Sequence, residues 1–288
     1  MNYRELKNII FDFDGVILDS VSAKTKAFYQ MYLKYGKDIA ENVKNFHIQN
    51  GGVSRYDKFK IWHKKYLNIK LSKSELDKLA DTFSALVLEK VLKSEEIDGA
   101  KKFIKNYSDK FNFWIISGTP DKEINYIIKE LGLRKYFIDV YGSPKNKIEW
   151  CRLIIKKNKI KSSETIFLGD AMSDYNAATK FKFSFFLRED STNKNIFKDI
   201  NTNRFIDFDD LKRKLNFPKP KILVTTTSFQ DTPGLHHAKL KKKNWDVSFL
   251  RGPLKEFELI DEIKKYDGII CGDDEYTNKI IKIGKKNK

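Results

Sequence analysis

The sequence predicts an α/β protein: a parallel sheet covered by helices on both faces, an all-helical insert after its first strand, and a second, smaller α/β unit at the C-terminal end. Three observations carry that expectation. Apolar runs of strand length alternate with segments of helical period over most of the 288 residues. Between Leu18 and about Leu92 the alternation stops and the pattern is helical throughout. After Leu215, Asn216-Phe217-Pro218-Lys219-Pro220 reads as a short linker, and strand–helix alternation then resumes.

The elements follow in chain order. Lys7 to Phe13 reads as a buried strand, as do Phe113 to Ile116, Tyr136 to Val140, Thr165 to Leu168 and Phe183 to Leu187. Helical spacing marks Glu123 to Leu131 and Ile148 to Lys156 between the later strands. In the insert, Phe28, Met31, Tyr32 and Tyr35 share one helix face, and Phe59, Trp62, His63 and Tyr66 share another. Ser72 and Glu75 form a capping box for a third helix, which carries Leu76, Leu79, Phe83 and Leu86. Past the linker, Lys221 to Val224, Val247 to Phe249 and Gly268 to Cys271 read as strands, Leu235 to Lys243 and Glu256 to Tyr266 as helices. The predicted division is 1–17 with 93–216 as the sheet core, 18–92 as the insert, 217–220 as linker and 221–288 as the tail.

Composition narrows the function classes. With 41% hydrophobic and 14% aromatic residues the chain is no disordered polymer. No apolar run approaches the roughly 20 residues needed to cross a bilayer, so no membrane partner is expected. Two distant cysteines, Cys151 and Cys271, make no disulfide framework, and the opening MNYRELKNIIFDFDG shows no cleavage pattern after its apolar stretch. A cytoplasmic location is the expectation. The net charge of +17 invites a nucleic-acid partner, but only eight of the 56 cations are arginine and the lysines are spread over most helices. A lysine-rich solvated surface accounts for that charge, and no nucleic-acid binding is expected.

Chemistry gathers where strands end. Asp12-Phe13-Asp14-Gly15 leaves the first strand, and taken alone it could be a loop acid and a helix cap. After Phe113 to Ile116 comes Ser117-Gly118-Thr119-Pro120, a hydroxyl with backbone N–H groups near a helix start, which is an anion site. Gly142-Ser143-Pro144-Lys145-Asn146-Lys147 offers a cation, with Lys147 leading directly into the helix and Lys145 the solvated alternative. Gly169-Asp170-Ala171-Met172-Ser173-Asp174 adds two further carboxylates. Parallel α/β sheets bind ligands beyond these strand ends, and four such loops together exceed what capping explains.

In these four stretches, FDFDGV, IISGT, the lysine before IEW, and GDAMSD, the sequence resembles the haloacid dehalogenase superfamily of aspartate-nucleophile phosphohydrolases. The resemblance covers about three quarters of the chain. It implies a Rossmann-like core with an inserted all-α cap that closes over substrate. It implies Asp12 as nucleophile, Asp14 as acid and base, and Ser117 and Lys147 as holders of the phosphoryl oxygens, with Gly118 and Thr119 at the substrate. It implies Mg²⁺ on Asp12, the Asp14 carbonyl and Asp170, with Asp174 orienting the lysine or metal waters. The expected reaction is hydrolysis of a small phosphorylated metabolite, a sugar phosphate or phosphoglycolate-like acid, with a phosphosugar mutase as the alternative.

Specificity is expected from the insert, whose Asn50-Gly51-Gly52-Val53-Ser54-Arg55-Tyr56 stretch holds its one arginine. Arg55 either touches the substrate or stands in a surface pair. His47 and His63 read as packing or surface residues, and Cys151 as core. The tail resembles the opening of D-2-hydroxyacid dehydrogenases of the phosphoglycerate dehydrogenase type, through WDV, P-L-x-E-x-E-L and DGII-x-G. It is expected to be a small flavodoxin-like unit, either part of a truncated phosphatase–dehydrogenase fusion or an accessory module. No G-x-G-x-x-G follows a strand, and His236 and His237 lie in the wrong region for that family's catalysis, so no NAD binding is expected. A sheet lacking the remaining strands would lean on the core or a second chain, making self-association through the tail an expectation.

Overall fold

The computed structural model describes residues 3–243 and 245–285. The chain forms two compact units, one ending at Leu215 and one beginning at Asn216. The first is built on six parallel strands, β1 (Asn8–Phe11), β2 (Asn112–Pro120), β3 (Asp139–Ser143), β4 (Thr165–Gly169), β5 (Ser184–Arg188) and β6 (Asn203–Phe205). Their spatial order is β3-β2-β1-β4-β5-β6. β1 therefore sits where the winding reverses, the place in such sheets where a crevice opens beyond the strand ends. Register aligns those ends: Phe11 pairs with Ile115 on one side and Leu168 on the other. One or two residues further on, the three chains present Asp12, Ser117 and Asp170 along one edge.

Four helices make the insert: α1 (Val21–Tyr32), α2 (Lys37–Gln49), α3 (Arg55–Leu67) and α4 (Lys73–Leu92). Five more accompany the sheet, namely α5 (Ala100–Tyr107), α6 (Asp121–Glu130), α7 (Lys147–Asn158), α8 (Met172–Lys180) and α9 (Phe208–Lys214). The insert has its own aromatic core. Phe28 stacks on Phe83 at 3.8 Å between ring centroids and meets Trp62 edge-on at 4.9 Å, and each such buried ring contributes on the order of 2 kcal/mol by removal from water. The chain enters and leaves this body along two adjacent strands of backbone. There the Asp19 N–H donates to the Glu95 carbonyl at 2.9 Å and the Ile97 N–H to the Ile17 carbonyl at 3.0 Å.

Three details depart from the sequence reading. The strand expected at Tyr136 begins instead at Asp139, after a 3₁₀ turn over Arg134–Tyr136. Phe137 is apolar because it plugs the space beside Phe11, 5.8 Å away, and not because it belongs to the sheet. On α4 the buried stripe is Leu76, Ala80, Phe83, Val87 and Val91, while Leu86 faces solvent. β2 also runs on through Ser117 to Pro120, with a register shift against β3 that bends the strand as it reaches the site.

The second unit has three parallel strands, β7 (Lys221–Val224), β8 (Asp246–Phe249) and β9 (Gly268–Ile270), in the order β8-β7-β9. Its helices are α10 (Thr227–Asp231), α11 (Leu235–Lys242), α12 (Glu256–Glu262) and α13 (Asn278–Lys285). Leu259 and Ile280 pack together as part of its small core, while Leu235 and Phe257 are largely exposed.

Candidate active site

Asp12 follows β1 directly and is buried. Its backbone N–H continues the sheet onto the Leu168 carbonyl at 2.8 Å, and its Oδ1 accepts the Phe13 N–H at 2.7 Å. Its Oδ2 lies 2.9 Å from the Lys147 ammonium, which also donates to Asp174 Oδ1 at 2.5 Å. The second oxygen of Asp174 accepts the Ala171 N–H at 3.1 Å, so Asp174 anchors Lys147 and caps α8 together. Lys147 opens α7, whose capping box of Asn146 and Glu149 fixes where that helix begins. Lys145 points elsewhere, 4.9 Å over the Trp150 ring.

Asp14 takes a different set of partners. Its Oδ1 accepts from Ser20 Oγ at 2.5 Å, and its Oδ2 from Lys24 Nζ at 2.5 Å and Thr119 Oγ1 at 3.2 Å. Ser117 is buried, and its Oγ accepts the Thr119 N–H at 3.1 Å. Asp170 lies against Gly15, where a Cβ would come within 2.3 Å of its Oδ2, and Gly15 has φ +76°. Only glycine fits that turn. The insert closes the site from the other side. A Cβ on Gly118 would fall 2.6 Å from the Gly52 carbonyl, and Ser173 Oγ donates to the Gly51 carbonyl at 3.1 Å.

Charge balance defines what this arrangement can hold. One oxygen from each of Asp12, Asp170 and Asp174 lies within 4.8 Å of the others. Burial raises the Asp12 carboxyl, and Asp14 nearby adds to it, with Lys147 pulling the other way. Burial also raises Asp170 well above the carboxylate range, reinforced by Asp12 and Asp174. Asp174 is pushed up to about 7 by burial and by Asp12. Burial would raise Asp14 too, but the Lys24 ammonium brings it below its ordinary value. Four carboxyl groups thus share two ion-pair partners, Lys24 and Lys147, and the upward shifts of Asp12, Asp170 and Asp174 mark a local deficit of positive charge. A divalent cation with hard oxygen preference fits that deficit.

A cavity of about 930 Å³ runs from Asp12, Asp14, Asp170 and Thr119 into the insert, where Phe28, His47, Lys58 and Phe83 line it. The Gly51-Gly52 loop stands over the site, but Arg55 turns its guanidinium onto Glu123, at 2.6 and 2.8 Å, and onto Ser84 at 2.6 Å. It lines the cavity with its hydrogen-bonding fork already engaged. His63 bonds Tyr32 in the insert core, and Cys151 is fully buried with its thiol pushed up to about 12 by burial. Lys24, Ser20 and Lys58 are site residues that the motifs do not indicate. Their signal was positional: Lys24 stands four residues before Phe28 and Lys58 four before Trp62, each on the buried face of its helix.

A model of the haloacid dehalogenase-like hydrolase family matches residues 9–187. The chain belongs to that family. The match spans β1 to β5 and the whole insert, and the second unit lies outside it. Among curated relatives, the phosphoglycolate phosphatase of Vibrio parahaemolyticus is 24% identical over 193 residues, 62% of this chain and 81% of that protein. The phosphorylated carbohydrates phosphatase of Thermotoga maritima is 25% identical over 179 residues, 60% of this chain and 80% of that one. Among solved structures, a predicted phosphoglycolate phosphatase from Haemophilus somnus superposes with a TM-score of 0.56 at 17% identity, over 73% of this chain and 98% of its own. The shared fold is the parallel sheet with its helices.

Proposed function

We propose that this hydrolase cleaves the phosphate ester of a small metabolite, a sugar phosphate or phosphoglycolate-like acid, through an aspartyl-phosphate on Asp12. The observation that carries the reading is that Lys147 bridges Asp12 and Asp174 while Asp12 and a second acid, Asp14, line one cavity. Asp12 attacks phosphorus as the ester oxygen leaves, and Asp14 delivers a proton to that oxygen. Water then attacks the phosphorus, Asp14 takes its proton, and phosphate departs from the regenerated carboxylate. Lys24 favours the ionised Asp14 that takes the water proton in the second step. For the first step Asp14 must carry a proton, the one kept from the water of the preceding turnover or one drawn from solvent, with Lys24 moved off that oxygen. Lys147, the Ser117 hydroxyl and the Gly118 N–H would hold the phosphoryl oxygens, with the Thr119 N–H fixing the Ser117 oxygen.

Asp12 and Asp170, with the Asp14 carbonyl, would hold Mg²⁺, which screens the approach of a carboxylate to an anionic phosphate when bound. Asp174 is taken up by Lys147 and Ala171 and serves to position the lysine. The tail is proposed as a partial hydroxyacid-dehydrogenase-like unit, supported by its three parallel strands and the motifs quoted above. The catalytic machinery is proposed to be complete in 1–17 with 93–216 and the cap 18–92, since every group named above precedes Pro218.

Phosphate release from a panel of sugar phosphates, phosphoglycolate and an aryl phosphate, with Mg²⁺ and with chelator, tests this reading. Metal-dependent release is expected, and at the same rate from residues 1–216 alone. Interconversion of sugar phosphate isomers without release would instead make the protein a mutase, and loss of activity in the shortened chain would overturn the proposed division.

A further inference from the structure

We propose that the insert end of the cavity is an anion-binding subsite, with the Lys58 ammonium as its receptor, so that the substrate carries a second anionic group on its leaving-alcohol side. This rests on the phosphatase reading and adds the chemical class of the leaving group. Lys58 is 2% exposed, yet it lines the cavity that contains Asp12 and Asp14. Three other buried cations of the insert and the site are each matched by a carboxylate. Lys24 lies 2.5 Å from Asp14, Arg55 lies 2.6 Å from Glu123, and Lys147 lies 2.9 Å from Asp12 and 2.5 Å from Asp174. Among the described residues no carboxylate stands in ion-pair range of Lys58. Its neighbour is His47, whose Nδ1 is 2.7 Å from the Lys58 Nζ.

Burial pushes the Lys58 ammonium down to about 7, with Lys24 adding to it and Asp14 and Asp170 pulling the other way, which is the cost of carrying this group in the insert without an ion-pair partner. Packing does not require it: Lys58 lies one helical turn before Trp62 and next to Phe59 on a buried face that also carries Arg55 and His63, and an apolar chain of the same length would pack against those two rings. His47 is held neutral by burial and by Lys58, and its ring nitrogen fixes the ammonium without compensating its charge. An anion arriving with substrate supplies the missing charge. A hydroxyl does not. With the phosphoryl group seated at Asp12 and Lys147, the group reaching Lys58 is the non-reacting end of the molecule, a carboxylate or a second phosphoryl group.

Three substrates separate these cases: 2-phosphoglycolate carries a carboxylate, fructose 1,6-bisphosphate a second phosphoryl group, and ethyl phosphate neither. At least one of the first two is expected to exceed ethyl phosphate in kcat/KM by roughly a hundredfold, with the gap in KM. The arm that shows the gap names the anion. Lys58→Met is expected to bring the ratio close to one, and Lys58→Gln, which keeps a polar group against His47, to lower it in the same direction. A wild-type ratio near one for both anionic substrates overturns the proposal whether or not either variant folds. So does a ratio that either variant, still turning over 4-nitrophenyl phosphate, retains in full. Absence of wild-type turnover with 4-nitrophenyl phosphate as well overturns the phosphatase reading itself, and the subsite with it.

Discussion

Asp12→Asn is expected to lower turnover of an aryl phosphate by at least about 10⁴-fold, the scale on which removing a covalent nucleophile acts. The amide keeps the volume and can still accept the Phe13 N–H, so the backbone has no reason to move. What it loses is the anionic oxygen that attacks phosphorus and that Lys147 holds at 2.9 Å. Stability should move the other way. Asp12 belongs to a buried cluster in which four carboxyl groups share two ammonium partners, and one of those acids disappears in the variant. Thermal unfolding without metal is therefore expected at an unchanged or higher Tm. A variant that is inactive because it is unfolded contradicts this account, as does a folded one with substantial Mg²⁺-dependent turnover.

Lys147→Met has the second-largest expected effect, and it acts on stability and catalysis together. The side chain is 4% exposed and bridges Asp12 and Asp174, themselves 3% and 0% exposed. Removing it leaves two buried carboxylates facing Asp170 with no cation between them, at a cost of roughly 3–5 kcal/mol. Turnover should fall by about 10² to 10³-fold, the scale of one lost electrostatic contact to the reacting group. Adding Asp174→Asn separates the two losses: much of the stability should return, because one stranded charge is gone, while activity stays low. Denaturant unfolding and steady-state rates on the same preparations measure both. A Lys147→Met protein of wild-type stability would show that the bridge contributes nothing to the fold.

The strand ends were legible because their information is local. Asp12, Asp14, Ser117, Lys147, Asp170 and Asp174 each follow or begin an element whose apolar run announces it, and the parallel sheet aligns those ends by register. Residues that reach the site from helix faces were hidden. Lys24 and Lys58 are lysines in a chain with 56 cations, and only their register against Phe28 and Trp62 separates them from solvated neighbours. Arg55 stands out in the sequence as the insert's single arginine, yet its partner Glu123 lies 68 residues further on, beyond the reach of any local pattern. The same limit explains Leu86 and Val87. Both fit a helical stripe, and contacts with the rest of the insert decide that Val87 turns inward.

The central claim is a covalent phosphoryl group on Asp12, and acid-quenched turnover followed by peptide mass analysis tests it most directly. During steady-state turnover of an aryl phosphate, the peptide containing Asp12 is expected to gain the mass of one phosphoryl group. That mass should be absent in Asp12→Asn and should persist longer in Asp14→Asn, where the base for the second step is missing. Phosphate release at the full rate with no phosphoryl group on Asp12, or with one on another residue, would contradict the account.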